Sequence, residues 1–290
     1  MDIFLQLTVS GLSTGMVYAL AAAGFVVIYK ASDVINFAQG DLLLLGTYLV
    51  FFAVAQVGMP WGVGVPATIA LAVAVALAIE RLVLRPLVGE PVISMIMVTI
   101  GLSSILRGAV NAIWGPAPRS FDSFLPEGDI AVGPAVLSAG RLLSIPIALA
   151  VLAALWLFFR HARDGIAMRA IADDQQAALS MGISIPRVFG VAWALAAASA
   201  AIGGIMLGDI VGVSPNVASI GLRVFPVVIL GGLDSIRGAV AGGAVIGLLE
   251  VYTGGYVGHG LSLIVPYAVL ILVLMVRPYG LFGKEIIERV

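Results

Sequence analysis

Hydrophobic positions along this chain come in long unbroken runs with short polar punctuation between them. Residues 3–29 carry no charge, and neither do residues 42–79, where Gly58-Met59-Pro60-Trp61 separates two spans. Further charge-free runs cover 91–106, 142–159, 188–208 and 251–276. These runs do not alternate with the period of two that a lipid-facing barrel strand requires. An α-helix rises 1.5 Å per residue, so a hydrocarbon core of ~30 Å takes about 20 helical residues. Lipid offers backbone amides no partner, which leaves only helices or closed barrels as spanning structures. The pattern predicts an all-α polytopic membrane protein, with residues 1–290 forming a single transmembrane domain. Nine apolar segments lie near 3–29, 41–57, 62–84, 92–114, 141–159, 188–208, 222–233, 238–252 and 261–276. The seventh and eighth fall short of a full crossing. Asp234 and Arg237 lie between them, in the stretch GGLDSIRG. They read either as two tilted spans on a short loop or as broken, re-entrant helices lining a cavity. The crossing number is therefore about seven to nine, with short or broken helices in the C-terminal half.

Composition sharpens this picture. Hydrophobic residues make up 61% of the 290, charged residues 11%, and the mean hydropathy is +1.13. A soluble domain carries about 25% charged residues, so most of this surface faces lipid. A net charge of −1 provides no basic field for nucleic acid. The absence of cysteine removes disulfides, thiolate metal ligands and thiol nucleophiles. Two histidines far apart, His161 and His259, make no metal site, and no metal or cofactor is expected. There is no Walker A loop and no HExxH. Gly11-Leu12-Ser13-Thr14-Gly15 matches the GxSxG spacing of a hydrolase elbow, but it lies inside an apolar span with no strand before it. Enzymatic activity is not expected, and transport, a channel or a structural role remain.

Arginine and lysine set the expected orientation. Arg160, Arg163, Arg169 and Arg187 fill one loop, Arg81 and Arg85 another, and Arg277, Lys284 and Arg289 the tail. These are placed in the cytoplasm. The 115–140 loop, with Asp122, Glu127 and Asp129 against Arg119, is placed outside. No basic residue precedes Lys30, so the N-terminus is expected outside and the first segment is expected to remain as a span rather than be cleaved. Glycines spaced by four recur within spans: Gly11 and Gly15, Gly204 and Gly208, Gly238 and Gly242, Gly243 and Gly247. They read as close-packing faces between helices.

The longest polar loop, about 160–187, carries the most specific signal. Arg169 to Met181 has helix-favouring composition without internal Gly or Pro. Gly182 is a plausible C-cap and Pro186 a stop. Ala170, Ala177, Ala178 and Met181 can share an apolar side, with Asp173, Asp174 and Gln175 on another. Such a helix either lies on lipid headgroups or docks into a groove on a cytoplasmic partner. The segment from Gln176 to Gly182, QAALSMG, is similar to the EAA-type coupling motif of ABC importer permeases, with Gln176 where glutamate is often found. Three further blocks resemble the branched-chain amino-acid (LivH-type) permease family. They begin at Gly11 (GLSTGMVYALAAAGFVVIYKASDVINFAQGDLLLLGTY), at Arg223 (RVFPVVILGGLDSIRGAVAGGAVIGLLE) and at Val273 (VLMVRPYGLFGK). Together with the coupling motif they run in family order from 11 to 284.

The resemblance implies a type II importer-like permease fold in a bacterial inner membrane. It implies a second related permease, two cytoplasmic ABC ATPase subunits and an extracytoplasmic solute-binding protein as partners. Amino acids, branched-chain or related small solutes, would move inward. On the docking helix, Arg169, Asp173, Gln176, Ala177, Ala178 and Gly182 are the candidate ATPase-coupling residues. Departures from the family are Gln39, where histidine is common, the carboxylate of Asp41 after it, and Arg223, where lysine is frequent.

Polar groups at lipid depth are costly and usually face a bundle interior. Asn36, Gln39 and Asp41 cluster before the second span, and with Glu250 they are the candidate translocation-path or gating residues. Asp41 reads first as a helix cap at the cytoplasmic membrane edge, ahead of a place on the solute path. Glu250, with Asp234 and Arg237, is expected to form ion pairs between segments. Arg107 and Arg223 are further charges inside spans. The alternative is a stand-alone ion-coupled secondary transporter. It would want a carboxylate deep within a span, whereas Asp41, Asp234 and Glu250 fall near predicted ends.

Overall fold

The computed structural model describes residues 2–126, 128–132 and 135–283. Glu127, Lys284 and Arg289 lie outside the described residues, as does the side chain of His259. The first helix, α1 (Asp2–Ser32), is apolar all round, and from Met16 to Ile28 it is almost wholly buried. A helix without a polar face belongs in a core. Around it stand α5 (Ala139–His161), α8 (Ile185–Val211), α10 (Val224–Gly231) and α11 (Ile236–Tyr256).

Helix α2 (Gln39–Val50) begins inside the bundle. The Phe37 amide donates to Thr99 Oγ1 at 3.3 Å, and Gln39 Nε2 reaches the Ala196 carbonyl at 3.5 Å. Thr99 lies about 10 Å along α4 (Val92–Trp114), and Ala196 about 16 Å along α8. The 33–38 connection therefore climbs into the protein, where Val34, Asn36 and Ala38 are buried. Irregular backbone at this depth is tolerated when protein surrounds it. Asp33 takes φ +55 at the start of the climb. Helix α2 runs on as a π-helical stretch, Phe51–Gln56. Helix α3 (Trp61–Ile79) likewise ends in a π turn, Glu80–Leu84, which brings the buried Glu80 onto Arg85 with contacts of 2.8 and 3.1 Å.

Among the described residues, seven helices are long and apolar enough to cross a membrane, and two shorter apolar stretches, Val217–Gly231 and Gly260–Val276, accompany them. The seventh segment is broken into α9 (Val217–Leu222) and α10. Pro226 has no amide hydrogen to give the Leu222 carbonyl, which instead accepts from Tyr267 Oη at 3.4 Å. The eighth segment corrects the sequence reading. As α11 it has 21 residues, a rise of about 31 Å, and it crosses fully. Its helix continues through Gly254-Gly255 because Gly255 packs on Leu7 of α1. The last segment is α12 (His259–Ser262) and α13 (Val265–Val276). One small addition to the helical reading is the hairpin β1 (Asp129–Val132) and β2 (Ala135–Ser138).

The two ends of the bundle differ in chemistry. At the hairpin end, Arg119 pairs backbone-to-backbone with Val213. Asp209 Oδ1 accepts from Ser123 Oγ and the Phe124 amide, at 2.9 and 2.7 Å, and the Trp61 ring meets Phe121 edge-on and Phe124 at a tilt. At the opposite, basic end gather Lys30, Arg160, Arg169 and Arg237. There the chain returns to close α10: the amides of Leu281 and Phe282 donate to the carbonyls of Leu230 and Gly231 at 2.8 and 3.0 Å. Those are carbonyls that an eight-residue helix leaves open at its C-terminus.

Glycine sets the helix spacing, as the four-residue pairs suggested. Gly11 and Gly15 of α1 lie against the backbone of Gly243 and Gly247 of α11, Gly204 of α8 against Leu43 and Thr47 of α2, and Gly238 and Gly242 against α10. A β-carbon at Gly15 or Gly247 would overlap the facing backbone, which has no side chain to move aside. We expect Gly15→Val or Gly247→Val to lower stability by about 1–3 kcal/mol, read as a lower melting temperature of the detergent-purified protein. Gly101→Ala and Gly108→Ala, both in open space on α4, should leave it unchanged or slightly raised.

Candidate functional site

Two ion-paired clusters lie at mid-depth. In the first, Asp41 sits in the first turn of α2, where the positive helix end favours a carboxylate. It is 1% exposed. Ser103, the central residue of α4, donates its hydroxyl to Asp41 Oδ2. One turn on, Arg107 donates from Nε to Oδ1 at 3.1 Å and from Nη2 to Oδ2 at 3.5 Å. Residues four apart share a helix face, so α4 presents both donors together. In the second cluster, Arg223 occupies the break between α9 and α10. Its Nη1 donates to Glu250 Oε1 on α11 and, at 3.0 Å, to Tyr18 Oη. Tyr18 completes the triangle by donating to Glu250 Oε2 at 3.0 Å. Tyr18 stands next to the midpoint of α1.

The clusters flank one contact. Gly40 precedes Asp41, Gly221 lies two residues before Arg223, and their backbones touch so closely that a β-carbon on either would overlap the other. The carboxylates face inward, while the arginines reach the surface of the chain: the side chain of Arg107 is 47% exposed and that of Arg223 is 24% exposed. An ion in hydrocarbon is tolerable when its charge is met by a partner and by hydrogen bonds. Both clusters supply these.

The candidate path residues are thus placed differently from the sequence reading. Asp41 does not sit at the membrane edge but opposite the centre of α4. Glu250 lies in the body of α11 beside the midpoint of α1, not at a span end. Its partners are Arg223 and Tyr18, not Asp234 and Arg237. Arg237 lies 5.2 Å over the Trp156 ring instead. Asn36 and Gln39 are 1% and 2% exposed. Asn36 Oδ1 accepts from the Ala38 amide at 3.0 Å, and Asn36 Nδ2 donates to Gln39 Oε1 at 3.4 Å, so this pair shapes the climbing turn. Arg107 and Arg223 stand out in the sequence as charges inside apolar spans. Tyr18 and Ser103 do not, because isolated hydroxyls in such spans are ordinary. Their signal is only that each falls opposite a carboxylate once the helices pack.

The 160–187 loop also departs from one continuous helix. It forms α6 (Arg163–Asp173) and α7 (Gln175–Ser180), broken at Asp174, whose backbone is extended at φ −158 and ψ 109. The Asp174 carboxylate then caps α7, accepting from the amides of Gln176 and Ala177 at 2.9 Å each. A local capping bond won over helix propensity at this residue. Helix α6 buries Gly165, Met168 and Ile171 against the bundle. Arg169 belongs to α6 and faces the basic cavity rather than sharing α7, and Asp173 ends α6. Gln176 and Ala177 are exposed, Ala178 is buried within the chain, and Gly182 closes α7 at φ +81 with open space around it. Leu179 and Met181 project outward, 51% and 83% exposed.

Seven helices among the described residues long and apolar enough to cross a membrane, a broken helix at mid-depth and ionic groups held inside the bundle define a multi-pass α-helical membrane protein. A family model described as branched-chain amino acid transport system / permease component matches residues 7–274, and the chain belongs to that family. It is 31% identical to the high-affinity branched-chain amino acid transport system permease protein BraD of Pseudomonas aeruginosa, with 99% of this chain and 98% of BraD covered. To the permease protein LivH of Escherichia coli it is 32% identical, with the same coverage. A probable branched-chain amino acid transport permease protein LivH of Methanocaldococcus jannaschii is 26% identical over 92% of this chain and 88% of that one.

Removing one charge of a cluster strands the other. We expect Glu250→Gln to cost about 2 kcal/mol or more, less than a fully buried pair because Arg223 is partly exposed. The double variant Glu250→Gln/Arg223→Gln should be more stable than the single one. Melting temperatures of the four proteins of this cycle in one detergent check it.

Proposed function

We propose that this chain is the permease subunit of a binding-protein-dependent ABC importer in a bacterial inner membrane, moving branched-chain amino acids or related small solutes inward. In this reading a second, related permease completes the translocation unit, and two ATPase subunits dock on its cytoplasmic side. A solute-binding protein delivers from outside. The observation that carries the reading is α7. It is a short capped helix at the basic end, clamped to the bundle through α6 and offering exposed Leu179 and Met181 to water. It sits on a chain whose membrane domain matches a permease family nearly throughout. Apolar side chains at an aqueous end want cover, and a groove on an ATPase would provide it. The basic end is cytoplasmic by the same reading.

Family membership argues against an ion-coupled carrier. Mid-depth carboxylates exist, contrary to the sequence expectation, but Asp41 and Glu250 are each held by an arginine. The half-exposed Arg107, at mid-depth on the surface of the chain, wants cover other than lipid, and the second permease or the solute path would supply it. An apolar path with few charges suits a solute whose affinity comes from the binding protein and whose release must be easy.

The test is the composition of the complex. Co-expressed with its neighbouring genes, purified in mild detergent and weighed by native mass spectrometry, the tagged chain should carry two ATPase copies and one different permease. This chain alone, or a bare oligomer, would overturn the proposal. Leu179→Asp/Met181→Asp should reduce ATPase co-purification at least several-fold while membrane expression persists. Gly182→Trp should keep the complex but uncouple ATP hydrolysis from uptake, because φ +81 disfavours any side chain there. Ala178→Glu is the poorer probe, since Ala178 is interior and the variant would disturb α7 itself.

A further inference from the structure

Two cavities at the basic end meet at one tryptophan. The first, about 440 Å³, opens among Lys30 of α1, Trp156 and Arg160 of α5, Arg169 of α6, and Asp234 and Arg237 at the start of α11. Four cations against one carboxylate leave a surplus of three positive charges. Rings position several of these cations. Arg160 and Arg237 lie 5.3 and 5.2 Å from the Trp156 centroid, and Lys30 lies 5.7 Å from that of Phe159. At Arg160 and Arg237 the aromatic face holds the cation in place without neutralising it, unlike the carboxylates that hold Arg107 and Arg223. The N-terminus of α11, a helix of 21 residues, adds its partial positive charge to the same wall.

The second cavity, about 330 Å³, shares Trp156, Ile236 and Arg237 with the first. It continues between α5 and α11 along Leu149, Leu152, Ala153 and Val240. From Trp156 to Leu149 is two helical turns, about 10 Å along α5 and away from the basic end. A cationic chamber at the membrane edge thus opens onto an apolar groove that descends into the hydrocarbon. We propose that this composite site binds an acidic glycerophospholipid, with the phosphate headgroup among Arg160, Arg169 and Arg237 and an acyl chain along α5 and α11. A free anion would have no use for the groove, and a zwitterionic lipid would have little for the charge surplus. The occupant would clamp α5, α6 and α11 together.

The assembled complex, stripped of lipid in detergent, is titrated with phosphatidylglycerol or phosphatidylcholine of identical acyl chains and read by native mass spectrometry. One phosphatidylglycerol should bind at least tenfold more tightly than phosphatidylcholine. Arg160→Gln/Arg237→Gln should remove that preference, and Arg160→Lys/Arg237→Lys should keep most of it. Ala153→Trp, which fills the groove, should weaken phosphatidylglycerol binding at least fivefold. Equal binding of the two lipids by the wild type overturns the proposal without reference to any variant. Competition by inorganic phosphate or chain-free glycerophosphoglycerol as effective as that of the whole lipid, with Ala153→Trp silent, overturns it in favour of a free-anion site. A photo-crosslinker at position 153 that captures another subunit instead of lipid also overturns it.

Discussion

The core of this fold depends on how closely α1 and α11 approach each other. In lipid, apolar side chains gain little by leaving their solvent for one another, so helices associate where their surfaces fit and polar groups meet. Gly11, Gly15, Gly243 and Gly247 let the two backbones touch. That spacing places Tyr18 of α1 within 3.0 Å of Glu250 on α11. The same device seats α2 on α8 through Gly204, and α2 on α9 through Gly40 and Gly221. The Glu250 cluster is therefore a consequence of glycine contacts: wider spacing of α1 and α11 would leave its carboxylate short of Tyr18.

Side-chain hydrogen bonds in turn explain why irregular backbone survives at depth. The 33–38 connection is tied by Thr99, Asn36 and Gln39. The break at Arg223 is bridged by its own guanidinium, which ties the α9–α10 junction to α1 and α11. In both places a side chain takes over work that the regular helix ladder cannot do. The chain end plays the corresponding part for α10, giving the RPYGLFG stretch a definite structural task.

The sequence made the spans legible because hydrocarbon tolerates almost no charge, so their limits are sharply written. The fourth span, 92–114, is found where the charge pattern puts it. Glycine pairs were readable as packing for the same reason. Depth was not readable. Asp41 follows a polar stretch and looks like a boundary residue, but its position depends on a connection that climbs inside the protein. Nor could the break at Asp174 be seen, because it turns on whether one carboxylate caps a helix or rides along its face. Pro226 was a visible signal, and its missing amide hydrogen accounts for the divided seventh segment. The Tyr18 and Ser103 hydroxyls acquire meaning only through partners more than 60 residues distant.

The central position of α1 has a consequence for biosynthesis. Its principal neighbour, α11, begins about 200 residues later in the chain. At a ribosome's pace of ~5–20 residues per second, α1 waits about 10–40 s in the bilayer before that neighbour emerges. During this interval its glycine face and the Tyr18 hydroxyl look out on lipid or on provisional partners such as α5 and α8. The central helix of this core is thus made long before the core around it is completed.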